Sequence, residues 1–590
     1  MGDLQDAFAA RLRFDGQWHD KPLYGGTAFP FAKGLGICHT FERLVPPDKW
    51  FATHPEWFSE INGRRLGEKS QLCCSNEELI RFVIREIRER LKADPKARFV
   101  GVSQNDWGNY CRCAECAALA KVEESQAGPF MKFVNAVAEG IEKDHPHVLV
   151  ETLAYQYTRR PPKTIRPRRN VAVCLCSYEC VFERPFIEST HPNTKRFCDD
   201  LRRWGAICPN LFIYNYAVNF RNYLFPFPNI RSMAPNYRLF LESGTKWIYD
   251  QGDGNGYSGE FAELKCYLQS KLMWNPDQDV DALIDRFLKA YYGKAAPLVR
   301  RYLDELYRAF GINGIDFPGA EHTPAYSGIY GENLPWLDDA RLLRWSDLWR
   351  QAEQAVRDDA QRVQNVRMSA LPVLYVRLKR AYERDYKTVW VTGNPKPHAE
   401  AMATLKPLAA ELVKRQEEAT ARRRGFALAE GGSRHRNLMK QFRELESWTV
   451  PAAASSSAVV TSDMMTSFGQ LRSAVAFPIR LIACDSNSTY RVRARMRKKA
   501  NVERKNGQVE DAYGFSGGLY VDYLPHAEGV QRKTYPRSSV SDQWTWQDLG
   551  EYDLAALQAI PLPTMNGLCL YVQGDVDVDK FEISKISDGK

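Results

Sequence analysis

Five short apolar runs in the first half of the chain constrain its fold more than any other feature: Arg98–Ser103, Val148–Tyr155, Val171–Cys176, Leu211–Asn215 and Lys246–Asp250. Most are near-continuous in apolar residues rather than alternating, which is the pattern of strands covered on both faces and hence of a parallel sheet. Leu35–Thr40 and Phe8–Phe14 bring the candidate strands to seven. Helical stretches fill the gaps. Ser75-Asn-Glu-Glu78 reads as a capping box ahead of Leu79, Val83, Ile87 and Leu91 at helical spacing. Pro129 is expected to open a helix carrying Phe130, Phe133, Val134, Val137 and Ile141, and Phe197, Leu201 and Trp204 mark another. Strand alternating with helix predicts an α/β fold, a TIM-type (β/α) barrel whose first strand is missing.

At 590 residues the chain is too long for one core. From about Asp281 to Glu430 the pattern is purely helical, interrupted near Phe317–Pro335 and closed by Gly431-Gly432. Alternating segments follow: Tyr490–Met496, Gly518–Asp522, Trp546–Gly550, Leu568–Val572 and Lys580–Ser584. Period-two patterning between polar turns predicts an antiparallel β-sandwich, a jelly roll. The expected domains are therefore 1–290 (barrel), 291–430 (helical) and 431–590 (sandwich, a possible carbohydrate-binding module).

A formal charge of +9 spread over this length, with no basic block longer than Arg422–Arg424, argues against nucleic acid as a partner. No apolar stretch approaches the roughly 18–20 residues that span a bilayer. The start, Met1-Gly-Asp-Leu-Gln-Asp, has no basic region followed by an apolar one, so no signal peptide is expected in it.

In parallel βα architectures the active site gathers at the carboxyl ends of the strands. That rule selects Asp106 in Ser103-Gln-Asn-Asp-Trp107, Glu179 in Cys176-Ser-Tyr-Glu, Asp250 at the end of its strand, and Asp253 and Glu260 beyond it. Glu151 falls early in its strand and reads as structural. Converging carboxylates suit glycoside hydrolysis, in which one acid protonates the leaving oxygen and a second group serves the oxocarbenium-like centre. Helix capping or pairing with Arg is the competing reading for each acid taken singly. His39, Trp107, Tyr155, Gln156, Tyr157, Asn215 and Tyr216 sit at the same ends and resemble a sugar subsite of ring platforms and hydroxyl partners.

Twelve of the 14 Cys precede residue 267. Cys111-x-Cys113-x-x-Cys116 follows Asp106 directly, and Cys73 could supply a fourth thiolate for a tetrahedral Zn site that orders a loop; free thiols or one disulfide are the alternatives.

His39-Thr-Phe-Glu-Arg-Leu-Val-Pro-Pro47, Ser103–Asp106 with Asn109–Cys116, Glu151–Thr158 and Gly259–Glu263 together resemble the domain-of-unknown-function family 4838. Its glycosidase members form glycoside hydrolase family 163. The resemblance runs from about residue 8 to about residue 300. It implies a glycosidase barrel, endo-β-N-acetylglucosaminidase action on N-glycans, a secreted or periplasmic location and no cofactor in catalysis. Related enzymes use the substrate's own acetamido group as nucleophile, and by that analogy Asp106 is the acid and Asn105 the acetamido partner. Three departures stand out. Family members usually carry an α/β domain and a first strand ahead of the segment resembling Phe8–Gly16. Many have an acid where this chain has Asn215, and Glu where it has Asp250. The expected function is hydrolysis of a β-linked, N-acetylglucosamine-containing glycan, with Asp106 and Glu179 as the acid/base pair. The alternatives are a non-catalytic glycan-binding protein on a degenerate barrel and a glycosidase of other specificity, such as a uronidase-like enzyme.

Overall fold

A computed structural model describes residues 31–219, 225–252, 260–310 and 335–392, and beyond them chiefly strand segments between 457 and 588. The chain divides into two compact units, Met1–Val373 with Ala419–Arg434, and Leu374–Glu418 with His435–Lys590.

Among the described residues the first unit is built on a parallel sheet of five strands: β1 (Phe99–Gly101), β2 (Leu149–Ala154), β3 (Val171–Cys176), β4 (Leu211–Tyr216) and β5 (Thr245–Gln251). They lie in sequence order, each bonded to the next. Every residue of β3 is buried, as its unbroken apolar run predicts. Among the described residues the sheet does not close into a barrel, so the expected TIM-type closure is not what the strands show. Its ends do approach: the Phe99 ring on β1 meets Trp247 on β5 with centroids 5.6 Å apart.

The expected strand Leu35–Thr40 is not a strand. Phe31 makes one parallel bridge to Phe99, after which the chain turns over Lys33–Leu35. Gly34 and Gly36 hold φ of +82° and +76°, left-handed values that an extended strand excludes. The loop reaches β1 closely enough that a Cβ on Gly101 would lie 2.4 Å from the Gly36 carbonyl. Phe8–Phe14 lies outside the described residues.

Helices cover the connections: α1 (Glu77–Ala93), α2 (Ala114–Val122), α3 (Ala127–Glu142), α4 (Pro192–Ile207), α5 (Ile230–Glu242) and α6 (Ala262–Trp274). In α1 the stripe Leu79, Val83, Ile87 and Leu91 is buried, one residue per turn facing the core. Its cap is Asn76, whose Oδ1 accepts from the Leu79 amide at 2.8 Å, and not the expected Ser75. The α3 helix begins two residues before Pro129. Three more helices, α7 (Val280–Tyr292), α8 (Ala296–Phe310) and α9 (Asp339–Ala355), belong to the same unit. Tyr302 on α8 packs edge-on against Trp345 and 4.9 Å from Trp349, both on α9.

Among its described residues the second unit forms two antiparallel sheets, of five and four strands. In the four-stranded sheet Ser488–Lys498 pairs with Thr545–Tyr552 on one side and Val576–Asp588 on the other. Tyr490, Val492, Ala494 and Met496 are buried, while Arg493, Arg495 and Arg497 stack on Trp546 and Trp544. The alternation that marked the segment as a strand thus separates an apolar face from a cationic–aromatic one. No helix among the described residues is long and apolar enough to cross a membrane.

Candidate active site

The carboxyl ends of the five strands form a rim, and the acid most open to it is Asp106. Its side chain is 58% exposed. The loop that bears it is held from three directions. Toward the N-terminal side, the Thr40 and Phe41 amides both donate to the Ser103 carbonyl at 3.1 Å, and the Ser103 amide returns a bond to Thr40 Oγ1 at 2.8 Å. Below, buried Gln71 accepts from the Asn105 amide at 2.9 Å and donates to the Asn105 and Trp107 carbonyls at 2.9 and 2.6 Å. Sideways, buried Gln104 donates to the Tyr155 carbonyl at 2.8 Å and accepts from Thr158 at 2.6 Å, tying the loop after β1 to the loop after β2.

Two side chains address the Asp106 carboxylate. The Tyr155 hydroxyl donates to Oδ1 at 3.1 Å. Burial, with Asp106 close by, pushes the Tyr155 phenol well above its ordinary range, so it stays a donor. His39 points Nε2 at the same oxygen from 4.0 Å. Because His39 Nδ1 lies 2.9 Å from the Gln104 carbonyl, which can only accept, Nδ1 carries the proton. The Nε2 of a neutral ring then faces Asp106 as an acceptor, and of a charged ring as a donor. His39 and Gln156 both have left-handed backbones, φ +55° and +51°, a strained conformation concentrated on either side of Asp106.

From Tyr155 a row of tyrosines crosses the rim. Tyr155 meets Tyr178 at 5.6 Å between centroids, Tyr178 meets Tyr216 at 6.1 Å, and Tyr214 bridges Tyr216 and Tyr249 at 5.3 and 4.8 Å. Tyr178 was not singled out by the sequence, although it stands two residues past β3 where the strand-end rule would place it. Its phenol is pushed up by burial and by the charges of Glu179 and Asp106.

The remaining candidates are placed as follows. Glu179 forms an ion pair with Arg159, whose Nε also bonds Asp200 at 3.0 Å; Arg159 and Asp200 are each only 9% exposed. Asn105 is buried, and both ends of its amide are engaged: Oδ1 accepts from the Glu42 amide at 3.2 Å and Nδ2 donates to the Ser70 carbonyl at 3.0 Å. Trp107 gives its indole N–H to the same Ser70 carbonyl at 2.8 Å. Tyr157 stacks 4.9 Å from Tyr110, beside the cysteine loop. Asp250 is enclosed by three donors, Asn215 at 2.7 Å, Gln269 at 3.1 Å and Tyr237, and burial raises its pKa against them. Glu260 is buried in an ion pair with Lys265 at 2.6 Å, a pairing no short motif announces. Asp253 lies outside the described residues. Glu151 is fully buried, its one hydrogen bond among the described residues comes from Ser103 Oγ at 3.4 Å, and desolvation raises its pKa well above the carboxylate range.

Next to this rim the sulfurs of Cys73, Cys111, Cys113 and Cys116 lie within 4.8 Å of one another.

A family model for a domain of unknown function, DUF4838, matches residues 8–304, just over half of the chain. The chain belongs to that family. No curated protein matches it. Among solved structures it is similar to a family 89 glycoside hydrolase from Clostridium perfringens in complex with GlcNAc-α-1,4-galactose. That likeness has 12% identity and a TM-score of 0.38, covering 58% of this chain and 37% of the other. The same family 89 hydrolase with PUGNAc gives 10% identity and a TM-score of 0.36 over the same shares. A GH138 enzyme targeting pectin rhamnogalacturonan II gives 11% identity and a TM-score of 0.28 over 87% of this chain and 74% of that one. The chain thus spans little more than a third of the length of the family 89 enzymes it matches.

Proposed function

We propose that this protein is a glycoside hydrolase acting on a β-linked glycan that contains N-acetylglucosamine, of the family 163 endo-β-N-acetylglucosaminidase type. The observation that carries the reading is the Asp106 carboxylate, exposed at the strand ends, hydrogen-bonded by Tyr155, faced by His39 and opening onto a row of tyrosines. Tyrosine faces take the apolar faces of sugar rings, and a braced carboxyl group is what protonation of a glycosidic oxygen requires. No cofactor enters this chemistry. Substrate-assisted cleavage needs one acid and an oriented acetamide, so it can proceed with Glu179 held by Arg159. Since the Asn105 amide is hydrogen-bonded to backbone at both ends, this reading gives the acetamide to His39 and Tyr155 and makes Asn105 a brace for the acid.

A second reading, a glycan-binding protein without hydrolysis, is favoured by the same commitment of Glu179 to Arg159, which ties up the expected carboxylate partner of Asp106. On that reading the Trp544 and Trp546 face of the second unit would be a further binding module.

The test is hydrolysis of a panel of N-glycans and aryl β-glycosides by the protein and by Asp106→Asn. Cleavage of N-acetylglucosamine substrates, reduced about 100-fold or more in the variant, is expected. Binding without cleavage of any substrate would establish the second reading.

A further inference from the structure

We propose that Cys73, Cys111, Cys113 and Cys116 bind one zinc ion, and that this ion fixes the loop that carries Asp106.

Geometry comes first. Four thiolates at about 2.3 Å from a common tetrahedral centre stand about 3.8 Å apart. The Cys73 and Cys113 sulfurs are 3.7 Å apart, and all four lie within 4.8 Å of one another, so closure on an ion takes side-chain movements of an ångström or less. All four cysteines are free thiols. Together they occupy four coordination positions with soft ligands, a set that selects zinc over magnesium or calcium and leaves no position for substrate.

The surroundings are those of a charged sulfur cluster. The Glu60 amide donates to Cys111 Sγ at 3.4 Å, and the Arg65 guanidinium approaches the same sulfur at 3.8 Å. Ser75 Oγ lies 3.5 Å from Cys73, 3.5 Å from Cys113 and 3.3 Å from Cys116. Once the sulfurs are thiolates, that hydroxyl donates to one of them, the outer-shell bonding that orients metal ligands and spreads their charge. This explains why Ser75 leaves the capping of α1 to Asn76. Cys113 is the N-cap of α2 and Cys116 sits in its first turn, where the helix dipole favours thiolate.

The ion would lock together two segments that otherwise meet through weaker contacts such as those of Ser75 and the Asn109–Lys69 hydrogen bond. One is Ser70–Ser75, whose Ser70 and Gln71 hold Asn105 and Trp107 by the bonds described above. The other is Cys111–Cys116, which follows Asp106 in the chain and is stacked through Tyr110 on Tyr157. With zinc in place the Asn105–Trp107 loop is clamped from both sides; without it, the clamp depends on hydrogen bonds alone. The site stands whatever sugar the rim takes.

Full-length protein, purified without added metal and dialysed, is assayed for zinc by mass spectrometry. It is also titrated with a mercurial in the presence of a chromophoric chelator. About one zinc per chain, released as four thiols react, is expected, and Co²⁺ exchanged into the site should give the thiolate-to-metal charge-transfer bands of a tetrahedral sulfur site. Zinc removal should raise amide hydrogen exchange at residues 103–116 while that of β3 and β4 stays unchanged. Absence of metal, with the thiols reacting freely or with Cys73 in a disulfide, overturns the site. So does a stoichiometric zinc that survives both Cys73→Ser and Cys113→Ser. If those variants do not fold, the titration and the Co²⁺ spectrum of the unaltered protein decide. Unchanged exchange at 103–116 on zinc loss overturns the clamp.

Discussion

Phe99 on the first strand of the parallel sheet and Trp247 on the last meet ring edge to ring face, 5.6 Å between centroids. Strands four places apart in a flat sheet could not touch, because neighbouring strands stand about 4.8 Å apart. The sheet is therefore strongly curled. Phe31 stacks on the same Phe99 at 5.3 Å, so one buried ring touches both Phe31 and the far strand's Trp247. Phe99→Ala is expected to cost about 3 kcal/mol in denaturant unfolding, as large-to-small changes of buried aromatics do. A double-mutant cycle with Trp247→Ala should return a coupling of about 1 kcal/mol, the worth of an aromatic pair beyond its area. Strict additivity would show that the contact does not hold the curl.

How far such relationships can be read in advance depends on what sets them. Val171–Cys176 was legible residue for residue because both of its faces are buried and its composition leaves no other choice. Leu35–Thr40 was misread because its apolar residues are buried by a loop, and the deciding features, left-handed Gly34 and Gly36, carry no periodicity. At the rim, the rule that sites follow strand ends pointed to Asp106, which is exposed there beside Tyr155, and to the neighbourhood of Tyr178. It could not tell which way an amide points: Asn105 is adjacent to the acid in sequence yet turns its side chain into the backbone. Nor could it foresee that Glu179 would meet Arg159, a partner that arrives from the loop after another strand. The grouping of Cys73 with a triplet some forty residues later was legible only as a matter of chemistry, since four thiols close a tetrahedral set and three do not.

Tyr155→Phe removes the hydroxyl that donates to Asp106 and keeps the ring between His39 and Tyr178. Hydrogen bonds to charged groups are worth about 1.5–3 kcal/mol, so kcat on an N-acetylglucosamine substrate should fall about 10-fold or more. KM should change far less and the unfolding midpoint hardly at all. A loss confined to KM would make Tyr155 a sugar platform rather than a partner of the acid.

Arg159 is the cation shared by Glu179 and Asp200. Burial raises the Asp200 pKa and the Arg159 charge opposes that rise. Arg159→Met leaves Asp200 enclosed without its counter-charge, which should cost about 3–5 kcal/mol at neutral pH. Glu179→Gln should cost about 1 kcal/mol, because Glu179 is more exposed and Asp200 still balances the guanidinium. If Glu179 also takes part in hydrolysis, turnover in that variant falls about 100-fold at temperatures where it is fully folded. Turnover within a few-fold of the unaltered protein would confine Glu179 to the ion pair.

Glu151 tests the interior of the curled sheet. It is fully buried, its nearest donor is Ser103, and desolvation holds its folded-state pKa well above the usual 4.5. The unfolded chain ionises it near 4.5 and the folded one does not, so above that pH the unfolded state has released a proton that the native state keeps. Its contribution to stability is present in full below pH of about 4.5 and is lost progressively as pH rises toward the folded-state pKa. One such proton gives a slope of up to about 1.4 kcal/mol per pH unit. Glu151→Gln keeps the shape and removes the titration. Against pH, the stability of the variant minus that of the unaltered protein should therefore climb as pH rises above about 4.5. A difference that stays flat from pH 4 to pH 8 would mean that Glu151 is ionised in the native state and has a cationic or metal partner beneath the rim.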